Sequence, residues 1–467
     1  MKTKSFSNNF YLLLISLVSA MGGLLFGYDW VVIGGAKPFY EIFFAIENSP
    51  GMQGWVMGSA ILGCLIGVTI AGSLSDKYGR KPLMIIAAIT FTVSAIGTGA
   101  VNDLNWFIFY RIFGGIGIGI ASNLSPMYIA EVSPSHVRGK FVSINQLTIV
   151  LGILAAQFVN WLIAEPVVPG ENILETWNGQ MGWRWMFWAE VVPSALFFIL
   201  IFFIPESPRW LVLRGRDVRA HAVLQRIYRS SEAADEEIAA VHGTASASSK
   251  SEWRVLFEPG IRKAVVIGVF IAILGQFMGV NAVLYYGPTI FENAGLSSGD
   301  SLFSQVLVGV VNMLTSVLAL VIIDRVGRKQ LVYWGVSGMI VSLLCIGFYF
   351  MCGAALGLPS VVLLVFFLAY IFCCAVSICA VVWVLLSEMY PTRVRGLAMS
   401  IAGLALWVGT YLIGQLTPWM LENLTPAGTF FLFAAMCVPY MLIIWRAVPE
   451  TTGRSLEEIE KYWQKNE

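Results

Sequence analysis

Residues 76–81 read DKYGRK, and residues 324–329 read DRVGRK. Two further patterns recur in the same order along the chain. The first, Glu-x-x-Pro-x-x-x-Arg-Gly, occupies residues 131–139 and 388–396. The second, Pro-Glu followed by Ser or Thr, occupies residues 205–207 and 449–451. Three matches in one order indicate that the chain consists of two related halves.

Apolar residues fill the sequence between these motifs. They make up 57% of the 467 residues, while charged residues make up 12%, roughly half the share usual in soluble domains. A membrane-spanning helix takes about 20 apolar residues, and twelve such runs follow one another. Numbered as spans 1 to 12, they are residues 10–34, 54–75, 82–101, 105–130, 139–164, 184–204, 262–287, 302–323, 330–352, 359–387, 395–417 and 427–447. The sequence therefore predicts an all-α integral membrane protein and excludes a soluble enzyme.

Charge and cysteine usage exclude other classes. The net charge of +1 provides no basic field for nucleic acid. The seven cysteines lie at irregular spacing inside apolar runs, which is neither a disulfide framework nor a zinc pattern. All three histidines fall in predicted cytoplasmic loops, away from any nucleophile or cluster of metal ligands. We therefore expect no enzyme, no metal and no cofactor other than a proton as coupling ion.

The basic residues predict the orientation of the spans. Nearly all of the 29 Lys and Arg residues lie before span 1, after span 12, or in the loops that follow spans 2, 4, 6, 8 and 10. Loops rich in Lys and Arg remain in the cytoplasm, so both termini are predicted to be cytoplasmic. The predicted domains are an N-terminal six-helix bundle, a cytoplasmic linker with short helices, a C-terminal six-helix bundle and a tail, at residues 1–204, 205–260, 261–448 and 449–467. Two six-helix halves related by an axis along the membrane normal form the major facilitator fold.

The repeated loops have two interpretations. They could simply anchor the spans by positive charge, or they could form a cytoplasmic gate whose ion pairs bias the conformational equilibrium. The second is favoured because Asp and Gly recur together with the cations. The candidate gate residues are Asp76, Arg80, Glu131, Arg138, Asp324, Arg328, Glu388 and Arg395.

Three ionisable residues lie well inside spans of the first half: Asp29, Arg111 and Glu190. A charge in hydrocarbon costs several kcal/mol unless it is paired or faces water. All three are predicted in the outer half of the bundle, where they could meet. One interpretation is an ion cluster that holds three helices together. The other is a proton-coupling site, because one Arg facing two carboxyl groups is not neutral.

Amide and aromatic side chains instead mark the second half. A monosaccharide offers hydroxyl groups and an apolar ring face, which amides and aromatic rings can bind. The candidate substrate-binding residues are Gln146, Gln276, Asn281, Tyr285, Asn312, Trp383 and Trp407, and packing between helices is the alternative for each. On an ideal helix Gln276 and Asn281 would face different directions. Span 7 is therefore predicted to be irregular, as Gly275, Gly279 and residues 287–288 (Gly-Pro) also suggest.

Taken together, the motifs resemble those of the sugar porters of the major facilitator superfamily, which include proton-linked xylose symporters and glucose facilitators. The resemblance covers nearly the whole chain. It is carried by Gly79-Arg80-Lys81, by Arg111 with Gly114-Gly115, and by residues 205–211 (PESPRWL), 276–286, 327–329 and 449–458 (PETTGRSLEE).

The resemblance implies roles for particular residues. Asp29 matches the proton site of symporters and Arg111 its partner. The candidate amides and tryptophans match sugar-binding positions, and Tyr285 and Tyr286 match the outer gate. Three departures bear on specificity and movement: Gly275 replaces the first Gln of a usual pair, Leu406 replaces a Gln, and residues 379–380 (Cys-Ala) replace a Gly-Pro hinge.

These observations predict a secondary active transporter that imports a pentose or hexose by proton symport through alternating access. We expect a monomer in the lipid of a cell (inner) membrane, with a small sugar as its substrate and no nucleic-acid partner. A passive sugar uniporter and a proton symporter for a polyol such as inositol remain alternatives. A sugar sensor that does not transport is a weaker one, since only 18 residues follow Pro449.

Overall fold

Twelve helical segments of the computed structural model are long and apolar enough to cross a membrane, within the residues that the structure describes. The structure describes residues 10–167, 171–247, 256–353, 355–390 and 394–451, together with Ile459 and Trp463. Within these ranges the side chains of residues 244–247, 259 and 324 are not described. The spans are Phe10–Phe43, Pro50–Tyr78, Arg80–Ala100, Leu104–Val132, Arg138–Ile163, Asn178–Phe203, Gly260–Asn293, Ser298–Ile323, Arg328–Cys352, Ser360–Met389, Arg395–Asn423 and Thr425–Ala447. The predicted all-α architecture of twelve spans is confirmed.

Spans 1 to 5 are single helices, α1 to α5, with the bounds just given. The later helices are α6 (Trp183–Trp188), α7 (Val191–Leu200), α8 (Pro208–Leu213), α9 (Asp217–Tyr228), α10 (Ser231–Ala247), α11 (Pro259–Gln276), α12 (Val280–Asn293), α13 (Ser298–Val326), α14 (Arg328–Cys352), α15 (Ser360–Cys374), α16 (Ala380–Met389), α17 (Arg395–Asn423) and α18 (Thr425–Ala447). Helices α8, α9 and α10 form the linker. They bury a small apolar core of their own, which includes Trp210, Leu211 and Val241.

Three spans are interrupted helices. Span 6 begins with a π turn at Asn178–Gly182 and is broken between α6 and α7. Span 7 is broken between α11 and α12, where Gly279 has a φ of 93°. Span 10 contains a π turn at Ala375–Cys379 between α15 and α16. Span 10 therefore departs from α-helical geometry at the position where the family's Gly-Pro hinge is replaced by Cys-Ala.

Span 1 is longer than its apolar run predicted. The helix continues past residue 34 to Phe43 although Lys37 and Glu41 are both buried. The Lys37 ammonium donates to the Glu41 carboxylate at 2.8 Å, one helical turn away. Because each charge satisfies the other, the helix continues beyond the point where hydropathy alone would end it.

The residues pack as two compact units. Unit 1 comprises Met1–Trp30, Leu62–Ala155 and Phe187–Lys250, and unit 2 comprises Val31–Ile61, Ala156–Met186 and Ser251–Glu467. The boundaries fall within spans 1, 2, 5 and 6, so these units differ from the halves that the sequence repeat defines. The predicted domains remain a proposal about the parts that move during transport.

Candidate transport sites

An ion pair between Asp29 and Arg111 lies in the interior of unit 1. Arg111 Nη1 donates to Asp29 Oδ1, and both side chains are almost completely buried. The guanidinium carbon also lies 5.7 Å from the centre of the Phe187 ring. The other carboxylate oxygen, Asp29 Oδ2, has no hydrogen-bond partner among the described residues. Within the described residues, this buried carboxylate is thus hydrogen-bonded through only one of its two oxygens.

Glu190 is the second carboxyl group of this cluster. It lies at the break between α6 and α7, is 2% exposed, and interacts electrostatically with both Asp29 and Arg111. Its Oε1 atom has no hydrogen-bond partner within the described part of the chain. The cluster therefore contains two carboxyl groups and one guanidinium, and binding one proton makes it neutral.

Glycines allow helices α2 and α4 to pack closely beside this cluster. A β-carbon on Gly63 or Gly67 would collide with the backbone of α4, and one on Gly119 would collide with the backbone of α2. Small residues at such positions let transmembrane helices approach each other closely. Gly114 leaves room for Ser94 and lies near Asp29 Oδ2. The Gly114-Gly115 motif thus belongs to the packing that holds Arg111 in place.

In unit 2, the break in span 7 brings Gln276 and Asn281 together. Asn281 Nδ2 donates to Gln276 Oε1 at 2.7 Å, and Thr410 Oγ1 donates to the same oxygen at 3.1 Å. The predicted irregularity of span 7 is confirmed, and it resolves the conflict between the two amides. Gly409 makes room for this arrangement, since a β-carbon there would lie 3.2 Å from Gln276 Cγ. The amide group of Gln276 is held in one orientation.

The other sugar-binding candidates of unit 2 differ in burial. Asn312 is 8% exposed, Trp407 is 7% exposed and Trp383 is 39% exposed. Tyr285 and Tyr286 are both buried, and the Tyr286 hydroxyl donates to the Gly414 carbonyl oxygen at 2.7 Å. Gln146 is half-buried on α5 and belongs to unit 1. Their roles in binding sugar remain proposals.

The first repeated loop forms a dense hydrogen-bonded cluster. Arg80 donates twice to the Glu131 carboxylate, from Nε at 3.0 Å and from Nη2 at 2.9 Å. The Glu206 carboxylate accepts from the backbone nitrogens of Arg80 and Lys81 at 3.0–3.3 Å. Gly79 has a φ of 104°, and a β-carbon there would collide with Glu206. The Gly-Arg-Lys sequence thus combines a glycine at positive φ, a buried cation and a carboxylate-binding backbone.

The second repeated loop reproduces the main features of this arrangement among the described residues. Arg328 Nη2 donates to Glu388 Oε1 at 2.9 Å, and the Lys329 backbone nitrogen donates to Glu450 at 3.2 Å. Gly327 has a φ of 100°. Thr451 Oγ1 donates to the second Glu388 oxygen at 2.6 Å. A hydroxyl donor here takes the place that the second guanidinium bond has in the first loop.

Three gate candidates with described side chains fall outside these central ion pairs or make only a weak contribution to them. Asp76 contacts Arg80 at 3.2 Å, but its side chain is 75% exposed. Arg138 donates to the Ala130 carbonyl oxygen at 2.9 Å, and Arg395 donates to that of Tyr390 at 3.4 Å. Both arginines thus bind backbone near the end of the preceding span. The side chain of a further candidate, Asp324, lies outside the described residues.

Three site residues were absent from the predicted set: Thr410, Glu206 and Glu450. A signal existed for the two glutamates, since each belongs to a Pro-Glu pair that recurs in both halves. Thr410 carried no such signal. A threonine inside a span commonly bonds its own helix backbone, and Thr410 Oγ1 also lies 2.9 Å from the Leu406 carbonyl oxygen, so its single hydrogen is shared between that oxygen and Gln276 Oε1.

Comparisons with known proteins identify the family of the chain. Residues 15–463 match the family described as Sugar (and other) transporter. The arabinose-proton symporter of Bacillus subtilis is 38% identical over 463 residues, covering 99% of this chain and 97% of the relative. The D-xylose-proton symporter of Escherichia coli is 36% identical, covering 98% and 96%. The glucose facilitated diffusion protein of Zymomonas mobilis is 34% identical, covering 96% and 97%.

Solved structures give the same answer. The E. coli xylose transporter in an inward-open conformation superimposes with a TM-score of 0.85 at 35% identity, covering 97% of this chain and all of that one. The proton:xylose symporter bound to 6-bromo-6-deoxy-D-glucose gives 0.78 at 36% identity, covering 97% and 99%. Sequence motifs, helix arrangement and overall similarity agree, and the chain belongs to the sugar transporter family of multi-pass membrane proteins with the major facilitator fold.

Proposed function

We propose that this protein is a proton-coupled monosaccharide symporter that imports a pentose or hexose across the cell membrane by alternating access. It acts as a monomer in the lipid of a bacterial inner membrane, with both termini in the cytoplasm. The observation that supports coupling is the buried cluster of Asp29, Arg111 and Glu190. The names of the arabinose and xylose relatives agree with this proposal.

The coupling step follows from the charge of the cluster. Without a bound proton it carries one positive and two negative groups, and a net charge inside a membrane protein is costly. A proton entering from outside binds at Asp29 Oδ2 and weakens the hold of Arg111 on Asp29. This releases a constraint between spans 1 and 4, so that the conformation and the protonation state change together.

The sugar step uses hydrogen bonds without any change in charge. Gln276 Oε1 is engaged by Asn281 and Thr410. Among the described residues the Gln276 amide nitrogen and the Asn281 carbonyl oxygen make no hydrogen bond. We assign to them one donor and one acceptor for sugar hydroxyls, while Trp383 and Trp407 provide apolar surface for the ring.

Uptake in vesicles tests this proposal. Labelled xylose, arabinose, glucose and inositol are offered to vesicles with an inward proton gradient, with and without a protonophore. A symporter accumulates one of these substrates above its outside concentration and loses that accumulation when the gradient is collapsed. Accumulation that the protonophore leaves unchanged would contradict proton coupling.

A passive uniporter is the second candidate. It is favoured by the 34% identity to a glucose facilitated diffusion protein over nearly the full length of both chains. A uniporter would equilibrate sugar across the vesicle without accumulating it, with or without the gradient. In that case the cluster of Asp29, Arg111 and Glu190 serves to hold three spans together.

A further inference from the structure

A second group of amides lies within unit 2, apart from Gln276 and Asn281. Gln157 is 2% exposed and Gln305 is 3% exposed. Both polar atoms of the Gln157 side chain lack a hydrogen-bond partner among the described residues, and the same is true of Gln305 Oε1 and Asn160 Oδ1. Leaving one buried polar atom unpaired costs about 1–3 kcal/mol. Four such atoms in one place need a reason.

The surrounding backbone holds two of these side chains in place. Asn160 Nδ2 donates to the Val32 carbonyl oxygen at 3.0 Å, and Gln305 Nε2 donates to that of Val283 at 3.3 Å. Glycines make the room, since a β-carbon on Gly35 would strike Asn160 and one on Gly287 would strike Gln305. Each anchored amide therefore keeps its carbonyl oxygen unpaired.

The amides line a narrow cavity of about 10 Å³, together with Leu284, Pro288 and Leu302. That is close to the smallest volume that holds one water molecule. A water or a hydroxyl group both donates and accepts hydrogen bonds. It can therefore accept from Gln157 Nε2 and donate to a neighbouring carbonyl oxygen, whereas an ion or an apolar group cannot do both.

The positions of these residues on their helices connect the cavity to the proposed sugar site. Gln157 lies eleven residues after Gln146 on α5, and Gln305 lies seven residues before Asn312 on α13. On an α-helix both separations return to the same face, at rises of about 16 Å and about 10 Å. With the proposed orientation of the spans, both displacements point toward the outside.

We propose that Gln157, Asn160 and Gln305 form an outer subsite that binds sugar hydroxyls when substrate enters from outside. The inference rests on the proposed function. In the conformation described here, the subsite is closed to the size of one hydroxyl group. When spans 1, 5, 7 and 8 separate on the outer side, the same amides line the path toward Asn281 and Asn312. A sugar then makes its first hydrogen bonds at the outer subsite.

Directional uptake tests the subsite. Gln157→Met and Gln305→Met keep the length of the side chain and remove its hydrogen bonds. Transport is measured in right-side-out and inside-out vesicles with whichever of labelled xylose, arabinose or glucose the wild type takes up best. The KM from the outside should rise about fivefold or more, because sugar hydroxyls lose buried partners. The KM from the cytoplasmic side should stay within about twofold of wild type, since that path lacks the subsite.

Ser301→Ala is the matched control. It removes a buried hydroxyl without a partner from the same helix and leaves the cavity lining intact, so both KM values should be unchanged. Thermal stability is measured in parallel and should not fall in Gln157→Met, because neither polar atom of that side chain has a hydrogen-bond partner among the described residues. Gln305→Met should fall modestly in stability, because it also removes the bond from Nε2 to the Val283 carbonyl oxygen. Where a Met variant fails to insert, the corresponding Gln→Asn variant, which draws the amide back from the cavity, takes its place in the same assay.

Equal changes of KM from both sides, or none, would overturn the subsite. A wild type that transports none of the three sugars would instead overturn the proposed function. The two failures are therefore distinguishable.

Discussion

The two halves of the sequence repeat are built alike in their loops and differently inside the membrane. Arg80 pairs with Glu131, and Arg328 pairs with Glu388 in the same relative position. Within the spans, however, the first half has the buried Asp29–Arg111 pair, while the second half has hydrogen-bonded amides. A carboxylate changes its charge with protonation, and an amide does not. We therefore expect proton coupling to depend on the first half, while the proposed sugar contacts come from the second half together with Gln146, Gln157 and Asn160 of α5.

The ion pairs of the two repeated loops differ in burial and in hydrogen-bond geometry. The side chains of Arg80 and Glu131 are 6% and 10% exposed, whereas those of Arg328 and Glu388 are 11% and 24% exposed. The first pair is bidentate, and the second has one guanidinium bond supplemented by Thr451. Bidentate, buried pairs lose more when one partner is removed. The same motif is thus held more firmly in the first loop.

Asp29→Asn should give the largest effect and provides the sharpest test of the division of roles. The variant keeps a similar shape but cannot become charged, so uphill accumulation should be lost while sugar exchange across the membrane continues. Accumulation and exchange are measured in the same vesicle preparation. Asp103→Asn is the control, because Asp103 only caps α4 at the surface and Asn caps equally well. Uphill accumulation by Asp29→Asn would break the comparison.

Gln276→Ala should have the next largest effect and tests recognition in the second half. Loss of one hydrogen bond to bound sugar, with its partner left buried, costs about 1–3 kcal/mol, or roughly 5- to 150-fold in affinity. Sensitivity of transport to the proton gradient should persist at saturating sugar. Affinity is measured by direct binding to purified protein. Gln225→Ala, on the exposed side of α9, is the control, and normal low-substrate uptake by Gln276→Ala would place the sugar site elsewhere.

Removal of the loop arginines should slow transport without abolishing sugar binding. Arg80→Ala leaves Glu131 buried and unpaired, which costs about 3–5 kcal/mol in fully buried cases. Arg328→Ala should cost less because its partner is more exposed. Melting temperatures in detergent rank the two, while outward-side sugar affinity should change less than about tenfold in either.

Asp76→Ala is the matched variant within the first loop. Its 75% exposed carboxylate should contribute below about 1 kcal/mol. A greater loss of stability in Asp76→Ala than in Arg80→Ala, or total loss of sugar binding in folded Arg80→Ala, would contradict this account of the loop.

Gly275→Gln should give the smallest effect and sharpens the comparison by adding an amide. A β-carbon at Gly275 would lie 3.8 Å from Ile378 and from Tyr440, which is ordinary contact, so the backbone accepts a side chain there. The variant should insert and fold, and the ratio of pentose to hexose uptake should shift. Gly409→Ala is the contrasting variant, because its added carbon presses on Gln276. Failure of Gly275→Gln to bind any sugar would mean that the longer amide blocks the site.

The spans and the repeat could be predicted because apolar runs and recurring motifs are visible directly in the sequence, without knowledge of which residues meet in the fold. The sequence also predicted the irregular span 7, since glycines and a geometric conflict between two amides were visible. Partners separated in the chain were harder to predict. Each repeated loop holds several cations and acids, so the sequence could not decide that Glu131 pairs with Arg80 while Arg138 binds a backbone carbonyl. The predicted span 1 ended too early because Lys37 and Glu41 lower the local hydropathy. The structure shows that the two charges pair with each other, so the helix can continue to Phe43.

The break at Gly279 can act as a hinge within span 7. A continuous helix moves as one rigid rod, whereas a hinge at one residue lets the outer segment α12 change its angle while α11 stays in place. Gln276 and Asn281 lie on opposite sides of this hinge, and their hydrogen bond at 2.7 Å connects the two segments across it. In the binding mode proposed above, a sugar bonds the Gln276 amide nitrogen and the Asn281 carbonyl oxygen and so adds a second connection between the two segments. On this proposal, bound substrate restricts the angle between α11 and α12.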